Sequence, residues 1–290
     1  MGMAAAERQR PARPKRPARP KRPTKRPEHV DRPAPAETQP DAAPEDLVIW
    51  GVHPVLEALE TRAGNIHEIV VLKERHSSKI ARVMDLARQQ GIKLRLGERL
   101  PDGVPTGVSH QGVAARMTPF ATISLDELLD RVGRQSRPPF LLVVDSILDP
   151  YNLGAIIRSA VAAGVQGIII PKDRSAPLTG TVAKASAGAL AHMEICRVTN
   201  LTSAIQAMQR AGIWVYGLAG QAERTIHRVE LTGPLCLVVG GEEKGIRPRI
   251  REACDGLLSI PMHGPLDSLN ASAAASIALF EAARQRAEGR

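Results

Sequence analysis

Three stretches of the 290-residue chain carry residue types able to bind and orient a polar reactant. In LDPYNLGAIIRSA (148–160), Asp149 and Pro150 mark a helix entry, Asn152 stands just inside it, and Arg158 follows six residues later. Asn152 and Arg158 are then nearly two turns apart and about 120° off each other's azimuth, yet a long guanidinium leaning toward the helix start reaches the same mouth. An amide and a guanidinium so placed hold hydroxyls and oxyanions. In LVVGGEEKGIRP (237–248), Gly240 and Gly241 end a buried run, admit close approach of backbone to a ligand, and set Glu242 beside the sheet edge. In IPMHGPLDSLNASAAASIALFEA (260–282), Ile260 and Met262 leave a strand, and Ser268 and Asn270 bracket the start of an alanine-rich helix. The unpaired amide N–H groups of such a helix start suit a carboxylate or a phosphate. The small side chains from Ala271 to Ser276 let a second backbone come close. Taken singly, the three are a capped helix with a solvated arginine, a glycine turn and a tightly packed helix start.

The elements that must bring these stretches together alternate strand with helix. FLLVVD (140–145) is a continuous apolar run of the kind buried on both faces of a parallel sheet. After it the pattern predicts a helix over 153–163, strands at 167–170 and 194–198 with a helix near 181–191 between them, and a helix over 202–211. Strands at 213–218, 234–239 and 256–260 and a long helix over 270–286 complete it. Such alternation argues for a parallel α/β sheet with helices on both faces, and ligands on these sheets sit at the carboxyl ends of strands. All three stretches follow a buried strand. Ahead of this unit, residues 47–118 read as a small α/β domain: a short strand or turn at VIWG, a helix over 53–61, strand IHEIVVL (66–72), an amphipathic helix over 78–91, and strands IKLRL and GVAARM. Residues 119–138, with Pro119 and Pro138 and one short helix at 125–132, form a linker, and 139–290 form the larger domain.

Residues 1–46 are of another kind. They hold PARPKRPARPKRPTKRP and ten of the 23 prolines, with almost no large apolar side chain. Proline removes backbone donors and favours extended conformations, so a disordered, semi-stiff basic arm is expected. Residues 1–40 carry 11 Lys or Arg against four acids, so most of the formal +9 charge resides there. A basic arm on a nearly neutral body points to a polyanionic partner, nucleic acid ahead of an anionic membrane surface. Aromatic residues are only 2% of the chain, which disfavours a surface built from rows of stacked bases. No apolar run is long enough to span a bilayer, and the arm lacks a secretory h-region, so a cytoplasmic protein is expected. Three cysteines, Cys196, Cys236 and Cys254, fit neither a disulfide framework nor a zinc cluster. The chain has no GxGxxG after its first strand, no GxxxxGK[ST], no HExxH and no paired CxxC. Classical dinucleotide, P-loop and zinc chemistry are disfavoured, and no metal site is expected.

In order and spacing, the three stretches resemble the three motifs of the SpoU/TrmH branch of the SPOUT methyltransferases, with NLGAIIRSA and SLNASAAASIALFEA the most specific. The resemblance covers roughly 140–287. Residues 47–117, from VIWGVHPVLEAL, resemble the ribosomal-protein-like substrate-binding domain of ribosomal RNA members, and RVTNL (197–201) is similar to the subgroup acting on a guanosine of 23S rRNA. The resemblance implies transfer of a methyl group from S-adenosylmethionine to a ribose 2′-hydroxyl of RNA, without a metal. It also implies a deep trefoil knot at the carboxy-terminal end of the sheet and a homodimer formed through the catalytic domain. Carried over by position, Asn152, Arg158, Glu242, Ser268 and Asn270 fall on catalytic-motif polar positions. Gly240, Ile260 and Leu269 fall on cofactor positions, with Leu218 and Met262 lining the same cleft. Glu243 stands where the family usually has glycine, so either carboxylate of the Glu242–Glu243 pair can be the inward one. Two rival readings are a transfer RNA 2′-O-methyltransferase, against which the separate 47–117 domain speaks, and a noncatalytic ribosome-assembly protein, which has no need of Asn152, Arg158, Ser268 and Asn270 together.

Overall fold

The computed structural model describes residues 46–75, 77–241 and 244–289. The first described part contains β1 (Leu47–Trp50), α1 (Val52–Arg62), β2 (Ile66–Leu72), α2 (Ser78–Gln89), β3 (Lys93–Gly97) and β4 (Val113–Met117). Its four strands form one sheet in the order β1-β4-β2-β3, antiparallel except for the β2–β3 pair. After α3 (Leu125–Gly133), the chain runs through β5 (Phe140–Asp145), α4 (Pro150–Ala163), β6 (Gly167–Pro171), α5 (Gly180–Ala185), β7 (Ile195–Val198) and α6 (Leu201–Arg210). It ends with β8 (Trp214–Leu218), β9 (Arg224–Thr225), β10 (Leu235–Gly240), α7 (Pro248–Ala253), β11 (Gly256–Ser259) and α8 (Ala271–Glu288). The second sheet has the order β7-β6-β5-β10-β8-β11-β9, and every recorded pair in it is parallel.

The unbroken apolar run of β5 is divided by the two-residue period of a strand between two cores. Phe140, Leu142 and Val144 join one with Ile156 and Ile157 of α4, Val182 of α5 and Leu279 of α8. Leu141 and Val143 join the other with Leu128 of α3, Ile205 of α6 and Ile250 of α7. Strand β10 divides in the same way, with Leu237 and Val239 on one face and Cys236 and Val238 on the other. The sheet is therefore covered on both faces, as the continuous runs require.

Local chemistry sets the helix boundaries. Asp149 caps α4 by accepting from the N–H groups of Tyr151 and Asn152, Pro150 fits the first turn, and left-handed Gly164 closes it. Ser77, Ser124, Asn200 and Asn270 cap α2, α3, α6 and α8. The single helix expected near 181–191 is in fact two pieces. After α5 the chain turns through Ala187 and Gly188, both with positive φ, and resumes as a 3-10 turn at Ala189–His192. The fully buried Ser186 explains the break, because its hydroxyl donates to Ala183 O at 3.0 Å and accepts from Leu190 N at 3.3 Å. Strand β9 and helix α7, two and six residues long, are too short for a periodic signal and were not expected.

The core on the α4 side continues into the first sheet through Ile49 and Val71, and into α1 through Val55 and Leu59. Helix α5 seats directly on β1: a Cβ at Gly180 would stand 2.1 Å from Val48 O and 2.3 Å from the Trp50 ring. Polar links surround that seat. Arg62 Nε donates to Ala191 O at 2.8 Å, and Gln111 Oε1 accepts from both Val52 N at 3.1 Å and Lys184 Nζ at 3.0 Å. Burial lowers the pKa of Lys184.

Candidate active site

Strands β10, β8 and β11 are consecutive neighbours in the sheet, and the segments leaving their carboxyl ends build one cavity of about 450 Å³. Leu218 comes from the end of β8, Gly240 from the end of β10, Ile260 and Met262 from the segment after β11, and Leu269 from just before α8. The five residues assigned to cofactor positions thus line a single cavity, and Ser268 lines it with them. Where Gly240 and Gly241 turn away from the sheet, main chain meets main chain. A Cβ at Gly240 would lie 2.0 Å from the Gly245 carbonyl carbon, and one at Gly241 would lie 2.6 Å from Ser146 O. Only hydrogen fits at either place. The loop closes on itself where Gly245 N donates to Gly241 O at 2.9 Å.

The rest of the lining is mixed. Val239, Leu258 and Ala271 are apolar, while Lys244, Arg251 and Asp267 bring charge of both signs. Small-molecule sites range over roughly 300–1,000 Å³ and combine apolar walls with a few placed polar groups. An adenine ring, an amino-acid zwitterion and a sulfonium, the parts of S-adenosylmethionine, suit such a lining.

Beside the cavity, the first and third stretches meet. Asn270 Nδ2 donates to Asn152 Oδ1 at 3.1 Å across 118 residues of sequence. Asn270 also caps α8, its Oδ1 accepting from Ser272 N at 2.9 Å and from Ala273 N at 3.4 Å. A second tie joins α4 to α8, the hydroxyls of Ser159 and Ser276 lying 2.7 Å apart. These bonds hold Asn152 and Asn270 in one arrangement. Arg158 is exposed on α4 and has no ion-pair partner among the described residues. Ser268 Oγ donates to Asp267 Oδ1 at 3.2 Å. Glu242 and Glu243 lie outside the described residues.

Sequence reasoning passed over Asp145, read only as the end of an apolar run. It is 0% exposed at the end of β5, and both its oxygens accept hydrogen bonds from Arg247. A charged residue closing a buried strand was the available signal; its partner, 102 residues away, had none. The cysteines stand apart from this chemistry. Burial pushes the thiol of Cys196 up to about 11, that of Cys254 to about 12 and that of Cys236 further still, so all three stay protonated near neutrality. Among the described residues no group of three or more His, Cys, Asp or Glu could hold a metal ion, and no helix is long and apolar enough to cross a membrane.

Comparison with known proteins places this geometry in a family. Residues 139–280 match the SpoU rRNA Methylase family, and residues 48–122 match the RNA 2′-O ribose methyltransferase substrate binding family. The 23S rRNA (guanosine-2′-O-)-methyltransferase RlmB of Xanthomonas axonopodis pv. citri (strain 306) is 42% identical over 239 residues, 82% of this chain and 96% of that protein. The protein of the same name from Escherichia coli (strain K12) is 41% identical over 240 residues, 82% and 98% of the two chains. The crystal structure of the SpoU methyltransferase AviRb from Streptomyces viridochromogenes in complex with the cofactor AdoMet has a TM-score of 0.68 at 28% identity, covering 84% of this chain and 92% of that one. With relatives above 40% identity aligned over nearly their whole length and a fold shared with a cofactor-bound member, the chain belongs to the SpoU rRNA Methylase family.

Proposed function

We propose that this protein methylates the 2′-hydroxyl of a guanosine ribose in 23S rRNA, with S-adenosylmethionine as donor. One observation carries the reading: the segments after β8, β10 and β11 line one donor-sized cavity, and Asn270, flanked by its lining residues Leu269 and Ala271, is bonded to Asn152, 118 residues earlier. The names of the relatives supply the substrate class. S-adenosylmethionine, when bound, brings a methyl group already activated on a sulfonium. Leu218, Gly240, Ile260, Met262 and Leu269 hold the donor; Asn152, Arg158, Ser268 and Asn270 serve the ribose. The attacking hydroxyl must sit about 3–3.5 Å from the methyl carbon and in line with it, so positioning is the main task. A guanidinium with pKa above 12 does not give up its proton under ordinary conditions, so Arg158 donates hydrogen bonds rather than acting as base. It draws an RNA phosphate and the hydroxyl together. Asn152 and Asn270 orient Arg158 and the ribose, Ser268 fixes its loop, and Glu242 anchors the site by pairing with a basic or amide partner.

In this reading residues 47–118 form the RNA-binding domain, 119–138 the linker and 139–290 the catalytic domain. The carboxy-terminal segment is threaded as a deep trefoil knot. Support for the threading is the insertion of late strand β10 between β5 and β8, an order that simple sequential pairing does not produce. The catalytic domain pairs with a second copy. Exposed apolar residues on the packed α4–α8 pair support this: Tyr151 at 61%, Phe280 at 50% and Ile277 at 40%. The enzyme works in the cytoplasm, where its RNA is made.

The test is transfer of labelled methyl from S-adenosylmethionine to 23S rRNA lacking its modifications, followed by mapping of 2′-O-methyl sites. Label at one guanosine ribose is expected. Label in transfer RNA alone, or in no RNA, would sink the reading.

A further inference from the structure

We infer that Asp145 and Arg247 are positioning residues for methyl transfer: their ion pair, between a buried carboxylate and a half-buried guanidinium, sets the donor cavity's wall and its spacing from the Asn152–Asn270 pair. The inference rests on the methyltransferase reading above. Asp145 Oδ2 accepts from the backbone N–H of Arg247 at 3.0 Å. Its Oδ1 accepts from Arg247 Nε at 2.8 Å, lies 2.7 Å from Arg247 Nη2 and accepts from Ser146 Oγ at 3.1 Å. A carboxylate with no exposed surface is costly, and a well-packed apolar side chain would serve a sheet core as well or better. Fold stability alone therefore does not explain a charge at the end of β5. Its neighbours do.

Arg247 follows Ile246, which lines the cavity, and precedes α7, whose Arg251 lines it too. Pinning Arg247 through both its main chain and its side chain fixes the return of the Gly240–Gly245 loop and the entry of α7 together. On the other side, Asp145 leads through Ser146, held at a φ of 63°, to the Asp149 cap of α4 and so to Asn152. Gly241 rests against Ser146 O at the same point. One carboxylate thus joins the loop that walls the donor to the loop that presents the ribose-side amide. Misplacement of reacting groups by about 1 Å can cost about 100-fold in rate, so a joint of this kind acts on the reaction without touching the reactants.

The test compares Arg247→Met, which keeps length and loses the charged fork, with Arg247→Lys, which keeps the charge. Full-length protein is used. The readouts are affinity for S-adenosylhomocysteine by calorimetry, single-turnover methyl transfer with KM for donor and for RNA, and hydrogen exchange across 240–247. Arg247→Met is expected to weaken S-adenosylhomocysteine binding about tenfold and slow saturated transfer about 100-fold, with RNA KM within about twofold and faster exchange in the loop. Arg247→Lys should recover part of each loss. A folded Arg247→Met protein with wild-type donor affinity and rate would overturn the inference, and so would an RNA KM rising as much as the donor KM, since the arginine would then be touching RNA. Should Arg247→Met fail to fold, Arg247→Lys decides alone: intermediate values support the joint and wild-type values remove it. Wild-type protein that ignores S-adenosylhomocysteine would instead remove the methyltransferase reading, while loop exchange would still report on the joint.

Discussion

Arg158 lies exposed in the third turn of α4, and none of the described residues forms an ion pair with it. A side chain so placed contributes little to folding; surface substitutions usually stay within about 0.5 kcal/mol. Arg158→Ala should therefore leave thermal unfolding and S-adenosylhomocysteine affinity nearly unchanged while cutting single-turnover transfer about 100-fold or more, the usual loss for one donor aimed at a reacting oxygen. Lost donor binding instead would show that the arginine belongs to the cavity. At this scale the gathering of residues around the cavity was legible. Gly240, Ile260, Leu269, Leu218 and Met262 were singled out through their motifs, and all five line one cavity. Asp145 was not, because a buried charge becomes meaningful only beside its counter-charge, and nothing in a single sequence links positions 145 and 247.

Among the elements, α5 shows how closely the two sheets are joined. Its first residue, Gly180, lies against the main chain of β1, where a methyl group would have to displace a carbonyl oxygen rather than a flexible side chain. Gly180→Ala should destabilise the protein by about 1–3 kcal/mol, the range for forcing atoms into a packed interior, as measured by urea unfolding. Wild-type stability would mean that α5 and β1 part easily. Strand-forming runs such as FLLVVD and helices with clean periodicity and a cap, α2 and α6 among them, were readable because period and capping agree. The break after α5 was not, since alanine, lysine and serine at 183–187 all tolerate a helix, and the buried Ser186 hydroxyl overrides them through tertiary placement. The order β5-β10-β8 was equally hidden: alternation predicts parallel pairing but not which strand enters the middle.

For the molecule as a whole, the disordered basic arm expected over residues 1–46 lies, up to residue 45, outside the described residues. The arm carries most of the net charge, and the described body carries the cavity and both sheets. Deleting residues 1–45 should weaken RNA binding and flatten its salt dependence, each lost phosphate contact removing roughly 0.7–0.9 from the log–log slope. Filter binding across a salt series measures it, and an unchanged slope would leave the arm without an RNA role. Composition made the uneven charge readable; the continuity of the core from Val71 of the first sheet to Leu142 of the second was not, because it depends on surfaces that meet only once both have folded.

The glycine turn at the mouth of β10 has a pharmacological consequence. There the pocket is bounded by peptide groups packed so tightly that no side chain can be introduced at 240 or 241 without moving the neighbouring strand of chain. An inhibitor that draws its affinity from those peptide groups would meet few routes to resistance there, because a side chain at 240 or 241 able to repel the drug also deforms the cavity itself.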